Sequence, residues 1–132
     1  MINRSGRYLL DTNIVIALFT GDRAVEAKVA NTENVAFAPP IIGEFCFGAQ
    51  KSEKVTENLY RINMFIEEHL LFSFDLETAQ WYGIIKNQLR RQGTPIPNND
   101  IWIAAIAMQH NLILDTRDSH FDQVESLQTE HW

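Results

Sequence analysis

Short apolar runs alternate with longer amphipathic stretches along most of the chain. The runs at residues 8–10, 35–38, 70–74 and 112–114 have the length and composition of buried strands, and residues 124–127 are a candidate edge strand. The stretches between these runs have the apolar spacing of helices. Such alternation is typical of an α/β fold, so we predict a central parallel sheet of four to five strands sandwiched by helices.

Capping residues indicate where several of the helices begin and end. Ser52 and Asp75 are the predicted N-caps of two long helices, since their side chains can accept hydrogen bonds from free backbone N–H groups. Gly93 suits the position just after a helix, where left-handed backbone is common. Asn98 or Asn99 is predicted to cap the last long helix.

Composition narrows the class of protein. The 132 residues are 45% hydrophobic and 21% charged, so we expect residues 1–132 to form a single folded domain. Cys46 is the single cysteine, which excludes an intrachain disulfide and favours a reducing compartment. No apolar run reaches the roughly 18–20 residues of a membrane span, and the apolar stretch before Asp11 is too short for a secretion signal. We therefore expect a cytoplasmic protein without a membrane partner.

The acidic charge balance bears on the class of partner. The formal net charge is −6, and an acidic protein is a poor general binder of nucleic acid because phosphates are held by Lys and Arg. The objection weakens if several of the acids lie together around a divalent cation. A bound cation is often the largest local charge and reverses the sign of its site.

Four acidic residues fall where predicted strands and helices meet. Asp11 follows the first strand and Asp118 follows the fourth, while Asp100 and Glu44 lie in the early turns of two helices. Ligands of an open parallel sheet bind outside the carboxyl ends of its strands, so we expect all four acids at one rim. Carboxylates packed together repel one another unless they share a divalent cation, and oxygen ligands suit Mg²⁺. The four histidines are scattered and Cys46 is alone, so zinc is not predicted.

Several other charged residues have two possible interpretations. Lys86, Arg90 and Arg117 are either contacts for phosphate or part of a solvated basic surface. Asp115 is either a surface acid or a residue that supports the site from behind. Glu44 stands among apolar sequence neighbours, where an unpaired carboxylate is costly, and we therefore expect a functional reason for its charge.

Three stretches together resemble the PIN-domain family. YLLDTNIVIAL, residues 8–18, resembles the opening motif, a hydrophobic strand that ends in Asp followed by Thr and Asn. IIGEF, residues 41–45, is similar to the second motif, which contributes a glutamate. IPNNDIWIAAIAMQHNLILDTRDSHF, residues 96–121, is similar to the third and fourth motifs together. Its aspartate before an apolar helix, followed by a strand and a T-x-D-x-x-F turn, resembles the VapC-type toxins of bacterial toxin–antitoxin pairs.

The resemblance implies a PIN fold and an Mg²⁺- or Mn²⁺-dependent endoribonuclease that cleaves RNA with water activated by the metal. The acidic quartet, which supplies the catalytic residues and metal ligands of the family, corresponds to Asp11, Glu44, Asp100 and Asp118. The polar residues that support the quartet correspond to Thr12, Asn13 and Thr116. Among RNAs we favour a structured tRNA, because specific recognition of RNA usually targets exposed loops; ribosomal RNA and mRNA stay open.

The resemblance also implies partners. Toxins of this type form homodimers, and a cognate VapB-type antitoxin neutralises them within a larger toxin–antitoxin assembly. The antitoxin inserts a segment along the acidic groove, often with an Arg or Lys that reaches the carboxylates. We therefore expect this chain to pair with a small antitoxin.

Two residues depart from the commonest pattern of the family. His120 stands just before the phenylalanine of the last motif, where a further acid is common. Asp118 occupies a position that is often Asn. We accordingly expect one firmly held metal ion, and a second ion only with substrate.

Two other classes of function are compatible with parts of the sequence. A phosphohydrolase or phosphotransfer domain would use Asp11 at the strand end as a nucleophile. The sequence offers DTN in place of an Asp-x-Asp arrangement and no clearly placed catalytic Lys, which weakens that class. A catalytically inert PIN-fold binding module is the other alternative, and the intact acidic quartet argues against it.

Overall fold

The structure, a computed structural model, describes residues 7–132 and contains the predicted parallel sheet. Its strands are β1 (Arg7–Leu10), β2 (Val35–Phe37), β3 (Leu70–Leu71), β4 (Leu112–Asp115) and β5 (Thr129–Glu130). They lie in the order β3-β2-β1-β4-β5, and every pairing is parallel. The predicted fold class is confirmed, while the place of residues 1–6 in the predicted domain lies outside the described residues.

Six α-helices accompany the sheet in the described part of the chain. They are α1 (Thr12–Phe19), α2 (Arg23–Ala30), α3 (Pro39–Gln50), α4 (Val55–Glu67), α5 (Leu76–Gln92) and α6 (Asn98–Gln109), and a short 3₁₀ helix covers Ser119–Gln123. Asp75 caps α5 as predicted, accepting from the Thr78 N–H at 3.0 Å. Gly93 ends α5 with φ of 71°, a conformation that costs glycine little. None of these helices is long and apolar enough to cross a membrane.

Two predicted N-caps are wrong. Helix α4 begins at Val55, and Ser52 instead donates its hydroxyl to the Ala49 carbonyl and accepts from Asn58, so it closes the end of α3. Helix α6 begins at Asn98 after Pro97 and has no side-chain cap. The two asparagines are used in contacts with other segments, which compete with capping for the same amide groups.

The strand predictions need two corrections. β3 covers only Leu70–Leu71 of the predicted residues 70–74. Residues 124–127 are not a strand: Val124 donates its N–H to the Phe121 carbonyl and Ser126 has φ of 66°. The edge strand follows them at Thr129–Glu130, where it pairs with β4.

The position of β1 in the sheet determines where the candidate site lies. β1 pairs with β2 on one side and with β4 on the other, so that Leu10 lies opposite Asp115. Leu9 and Leu10 are fully buried at the centre of the core. Because both central strands point the same way, the residues that follow them, Asp11 and Thr116, meet at one edge of the sheet.

Candidate active site

Asp11 is the buried centre of the site. It follows β1 and caps α1, and only 5% of its surface is exposed. Its Oδ1 accepts from the Thr12 N–H at 2.8 Å, and its Oδ2 accepts from the Thr116 hydroxyl at 2.7 Å and from Asn13 Nδ2 at 3.3 Å. A buried carboxylate needs such donors, and here they also fix its orientation. The three polar residues named from the sequence therefore all contact or lie beside Asp11.

Thr116 links Asp11 to a second acid. Its hydroxyl oxygen, besides donating to Asp11, accepts from the Asp118 N–H at 3.0 Å. Asp118 in turn accepts from the His120 N–H at 2.9 Å and thereby caps the 3₁₀ helix. The turn after β4 thus holds the Asp118 carboxylate at the same edge of the sheet as Asp11.

Asp100 reaches this edge from the first turn of α6. Its Oδ2 lies 3.3 Å from His120 Nδ1, and Asp118 Oδ1 lies 3.2 Å from the same nitrogen. One ligand atom from each of these three residues lies within 4.8 Å of the others. The donor set of two carboxylates and an imidazole therefore fits a divalent metal ion.

Glu44 faces the site from α3, but in a different environment from the one its sequence neighbours suggest. Glu44 is exposed to solvent, so its carboxylate is not buried among its apolar sequence neighbours, although it borders an apolar cavity lined partly by Phe45. The face of α3 that carries Glu44 points away from the core. Its Oε2 accepts from the Thr12 hydroxyl at 2.6 Å and its Oε1 accepts from Asn99 at 3.1 Å. Glu44 is held at the rim by polar contacts.

Burial and mutual repulsion both raise the pKa of two of the acids. Burial raises the pKa of Asp11, and the nearby charges of Asp118 and Glu44 raise it further, against hydrogen bonds that lower it. Burial also raises the pKa of Asp100, with added repulsion from Asp11 and Asp118. Carboxylates in this condition are stabilised by a shared cation, which supplies the missing positive charge.

Comparison with known proteins identifies the family. The family model described as PIN domain matches residues 8–127, which contain all four acids. The chain belongs to the PIN-domain family. It is 34% identical to Ribonuclease VapC2 of Haemophilus influenzae over 130 residues, covering 96% of this chain and 98% of that protein. It is 31% identical to the tRNA(fMet)-specific endonuclease VapC of Shigella flexneri over 129 residues, covering 96% and 98%.

A solved structure shows the same relationship. The DNA-bound VapBC complex from Salmonella typhimurium contains a chain that superposes on this PIN domain with a TM-score of 0.87 and 27% identity, covering 96% of this chain and 98% of that chain. The resemblance to VapC-type ribonucleases noted in the motifs is therefore confirmed over nearly the whole chain. The class of enzyme that these relatives represent is a nuclease.

The basic residues proposed as substrate contacts are not equivalent in this PIN domain. Lys86 on α5 donates to Asn98 at 3.3 Å, next to the helix turn that carries Asp100. Arg90 lies one turn further along α5 and donates to Asn87. The Arg117 guanidinium donates to Asp22 at 3.0 Å and to the Trp132 carbonyl at 2.9 Å. Lys86 is thus beside the acidic rim, whereas Arg117 holds neighbouring segments together.

Sequence reasoning missed the parts that other segments contribute. Asn99, assigned only as a possible helix cap, binds Glu44. Asp115 is fully buried beneath the tail of the chain, and one of its oxygens accepts from the Trp132 N–H at 3.0 Å. His120 was noted only as a replacement for an acid. Its spacing of two residues from Asp118 was the signal that its side chain could share the same site.

Proposed function

We propose that this protein is a divalent-metal-dependent endoribonuclease and the toxin of a VapBC-type toxin–antitoxin pair. The observation that carries the proposal is the convergence of Asp11, Asp100 and Asp118 at the carboxyl edge of the sheet, with Glu44 facing them from α3. Burial raises the pKa of Asp11 and of Asp100, and repulsion adds to both shifts, from Asp118 and Glu44 on Asp11 and from Asp11 and Asp118 on Asp100. The nuclease names of the relatives support the same reading.

The residues divide into different tasks. Asp11, Asp100 and Asp118 would hold Mg²⁺ or Mn²⁺, with Glu44 as a further ligand or as the base that takes a proton from the attacking water. A divalent ion bound there supplies positive charge against the phosphodiester and activates water. Thr12, Asn13 and Thr116 orient the carboxylates through the hydrogen bonds described above. The phosphotransfer alternative fits less well, since Asp11 is 5% exposed and its oxygens accept three hydrogen bonds.

The substrate that we favour is a structured tRNA. One relative is named for cleavage of tRNA(fMet), and exposed loops suit recognition by a small domain. Lys86 lies beside the N-terminus of α6 and is placed to bind a backbone phosphate next to the cleaved bond. Mapping the 5′ ends of cellular RNA after induced expression tests this: we expect one dominant cut in a tRNA loop, and cuts spread over mRNA would refute it.

Loss of ligands tests the activity itself. Asp11→Asn and Asp100→Asn should keep the fold, measured by circular dichroism and thermal unfolding, and lose RNA cleavage in Mg²⁺ or Mn²⁺. Asp75→Asn is the matched control, because it removes an acid at a helix N-cap where Asn caps equally well. Cleavage by Asp11→Asn at the wild-type rate would refute the assignment. Absence of any Mg²⁺ or Mn²⁺ binding by calorimetry would favour an inert binding module, and a trapped phosphoryl group on Asp11 would favour phosphotransfer.

The proposed partner is a VapB-type antitoxin, as in the VapBC complexes among the structural neighbours. An apolar cavity lined by Ile16, Phe19 and Phe45 opens directly beside Glu44. We propose that an apolar side chain of the antitoxin fills this cavity while a basic residue reaches the acids. Ile16→Arg should keep RNA cleavage and lose neutralisation by the co-expressed antitoxin. Ile84→Arg, at an exposed position of α5, should keep both. Equal neutralisation of the two variants would refute the location.

The predicted homodimer remains part of this proposal. Light scattering of the isolated toxin tests it, with a mass near twice that of the 15.2 kDa chain expected. A mass of one chain across the accessible concentrations would refute it.

A further inference from the structure

His120 is placed to contact whatever the neighbouring acids bind. Its Nδ1 lies 3.3 Å from Asp100 Oδ2 and 3.2 Å from Asp118 Oδ1, so one nitrogen faces both carboxylates. The imidazole is about half exposed, with 52% of its side-chain surface open to solvent. An ion that reaches the two acids from solvent therefore meets the imidazole as well.

Local structure fixes this placement. The backbone turns into a 3₁₀ helix directly after Asp118, and the Asp118 carboxylate accepts the His120 N–H at 2.9 Å. The next residue, Phe121, is buried in the core with 1% of its surface exposed, which anchors the turn from below. With the carboxylate on one side and the buried ring on the other, the backbone at His120 is held beside the two acids.

We propose that His120 is a metal ligand, and that its nitrogen shifts the preference of the site from Mg²⁺ toward first-row transition ions such as Mn²⁺ and Co²⁺. The inference rests on the proposed function, because it concerns the same ion. Mg²⁺ takes oxygen ligands almost without exception, whereas imidazole suits transition metals. A set of two carboxylates and one imidazole is therefore poorer for Mg²⁺, and better for Co²⁺, than a set in which an acid replaces the histidine.

The alternative role of His120 is that of a protonated side chain in a salt bridge with the two acids. The two roles make opposite predictions for the loaded site. A ligand nitrogen bonds to the ion, whereas a positively charged imidazolium is repelled by it. Replacing the histidine removes affinity for transition ions in the first case and leaves or improves it in the second.

The first experiment detects the nitrogen directly. Pulsed electron paramagnetic resonance of the Mn²⁺-loaded protein should show coupling to one ¹⁴N nucleus, and the coupling should disappear in His120→Gln. His69→Gln is the matched control, because His69 lies at the end of α4, where it stacks on Phe65. Its spectrum should match that of the wild type. Wild-type protein that binds Mn²⁺ without nitrogen coupling overturns the assignment of His120 and leaves the proposed nuclease function standing.

The second experiment measures preference by calorimetry. His120→Gln should lower Co²⁺ affinity at least about tenfold, as outer-shell changes already cost 10–100-fold, with a smaller change for Mg²⁺. His120→Asp should raise Mg²⁺ affinity relative to Co²⁺. Unchanged Co²⁺ affinity in His120→Gln overturns the inference. Failure of wild-type protein to bind any of the three ions, Mg²⁺, Mn²⁺ or Co²⁺, overturns the inference and the proposed function together, so the two failures are distinguishable.

Discussion

The hydroxyl of Thr116 offers the sharpest test of how the site is held together. Thr116→Val keeps the shape of the side chain and removes the hydroxyl that joins Asp11 directly to the backbone of Asp118. Two hydrogen bonds are lost: the 2.7 Å bond to the buried Asp11 carboxylate and the 3.0 Å bond from the Asp118 N–H. A bond to a charged group contributes about 1.5–3 kcal/mol and a neutral one about 0.5–1.5 kcal/mol.

The expected loss of unfolding free energy is therefore about 2–4 kcal/mol near neutral pH. With a urea dependence of about 2 kcal/mol per molar, the middle of the usual range, this lowers the unfolding midpoint by about 1–2 M. Calorimetry should also show Mn²⁺ affinity lowered by about 10–100-fold, because Asp11 is less well oriented. Urea unfolding in EDTA separates the stability effect from metal binding.

Thr116→Ser is the control, since it keeps the hydroxyl and loses one methyl, worth about 1 kcal/mol. It should retain nearly wild-type Mn²⁺ affinity. If the Val and Ser variants unfold at the same urea concentration and bind Mn²⁺ equally, the hydroxyl does not hold the site and the reasoning fails. Because only Thr116→Ser retains the hydroxyl, a difference between the two variants is due mainly to that group.

Three further predictions concern charge and pH. Burial raises the pKa of Asp115 to about 7, so the folded protein favours the protonated carboxyl. The free energy of unfolding of the wild type should therefore fall by about 2–3 kcal/mol relative to that of Asp115→Asn as pH rises from 5 to 8. The same pH dependence of urea unfolding in both proteins would contradict this. Burial lowers the pKa of His110, so the folded protein favours the neutral imidazole, and its contribution to stability above pH 6.5 is lost on acidification. His110→Phe should therefore unfold at a higher urea concentration than wild type at pH 5. Equal stability at pH 5 would refute this. Arg117→Ala should lower the free energy of unfolding by about 1 kcal/mol without weakening RNA binding. Lys86→Ala should weaken RNA binding and reduce its salt dependence. Filter binding at two salt concentrations checks both variants, and a larger loss of RNA affinity in Arg117→Ala than in Lys86→Ala would overturn their assignment.

The placement of Asp11 and Thr116 could be predicted from the sequence, because the residues that follow parallel strands lie at the same edge of a sheet. Asp11 and Thr116 follow strands whose apolar runs are unambiguous, and parallel pairing of those strands brings the two residues together whatever the details of the loops. The roles of Asp75 and Gly93 at the two ends of α5 could also be predicted, since each satisfies a local backbone requirement without help from distant residues.

What could not be predicted depends on contacts between distant segments. Ser52 had the right chemistry for a cap, but Asn58 and Ala49 take its hydroxyl. The apolar neighbours of Glu44 in sequence do not surround it in space, because α3 turns that face outward. Two-residue β5 is too short to show a periodic pattern, so the burial of Asp115 beneath it had no signal in the sequence.

The strand order also has a consequence for how the protein is made. Translation produces β1 first and its partner β4 only after more than a hundred residues, yet the two are adjacent at the centre of the sheet. A nascent chain that stops before β4 exposes an unpaired edge of β1 and lacks both Thr116 and Asp118. Translation products that end before β4 therefore lack two residues of the acidic site and cannot assemble it.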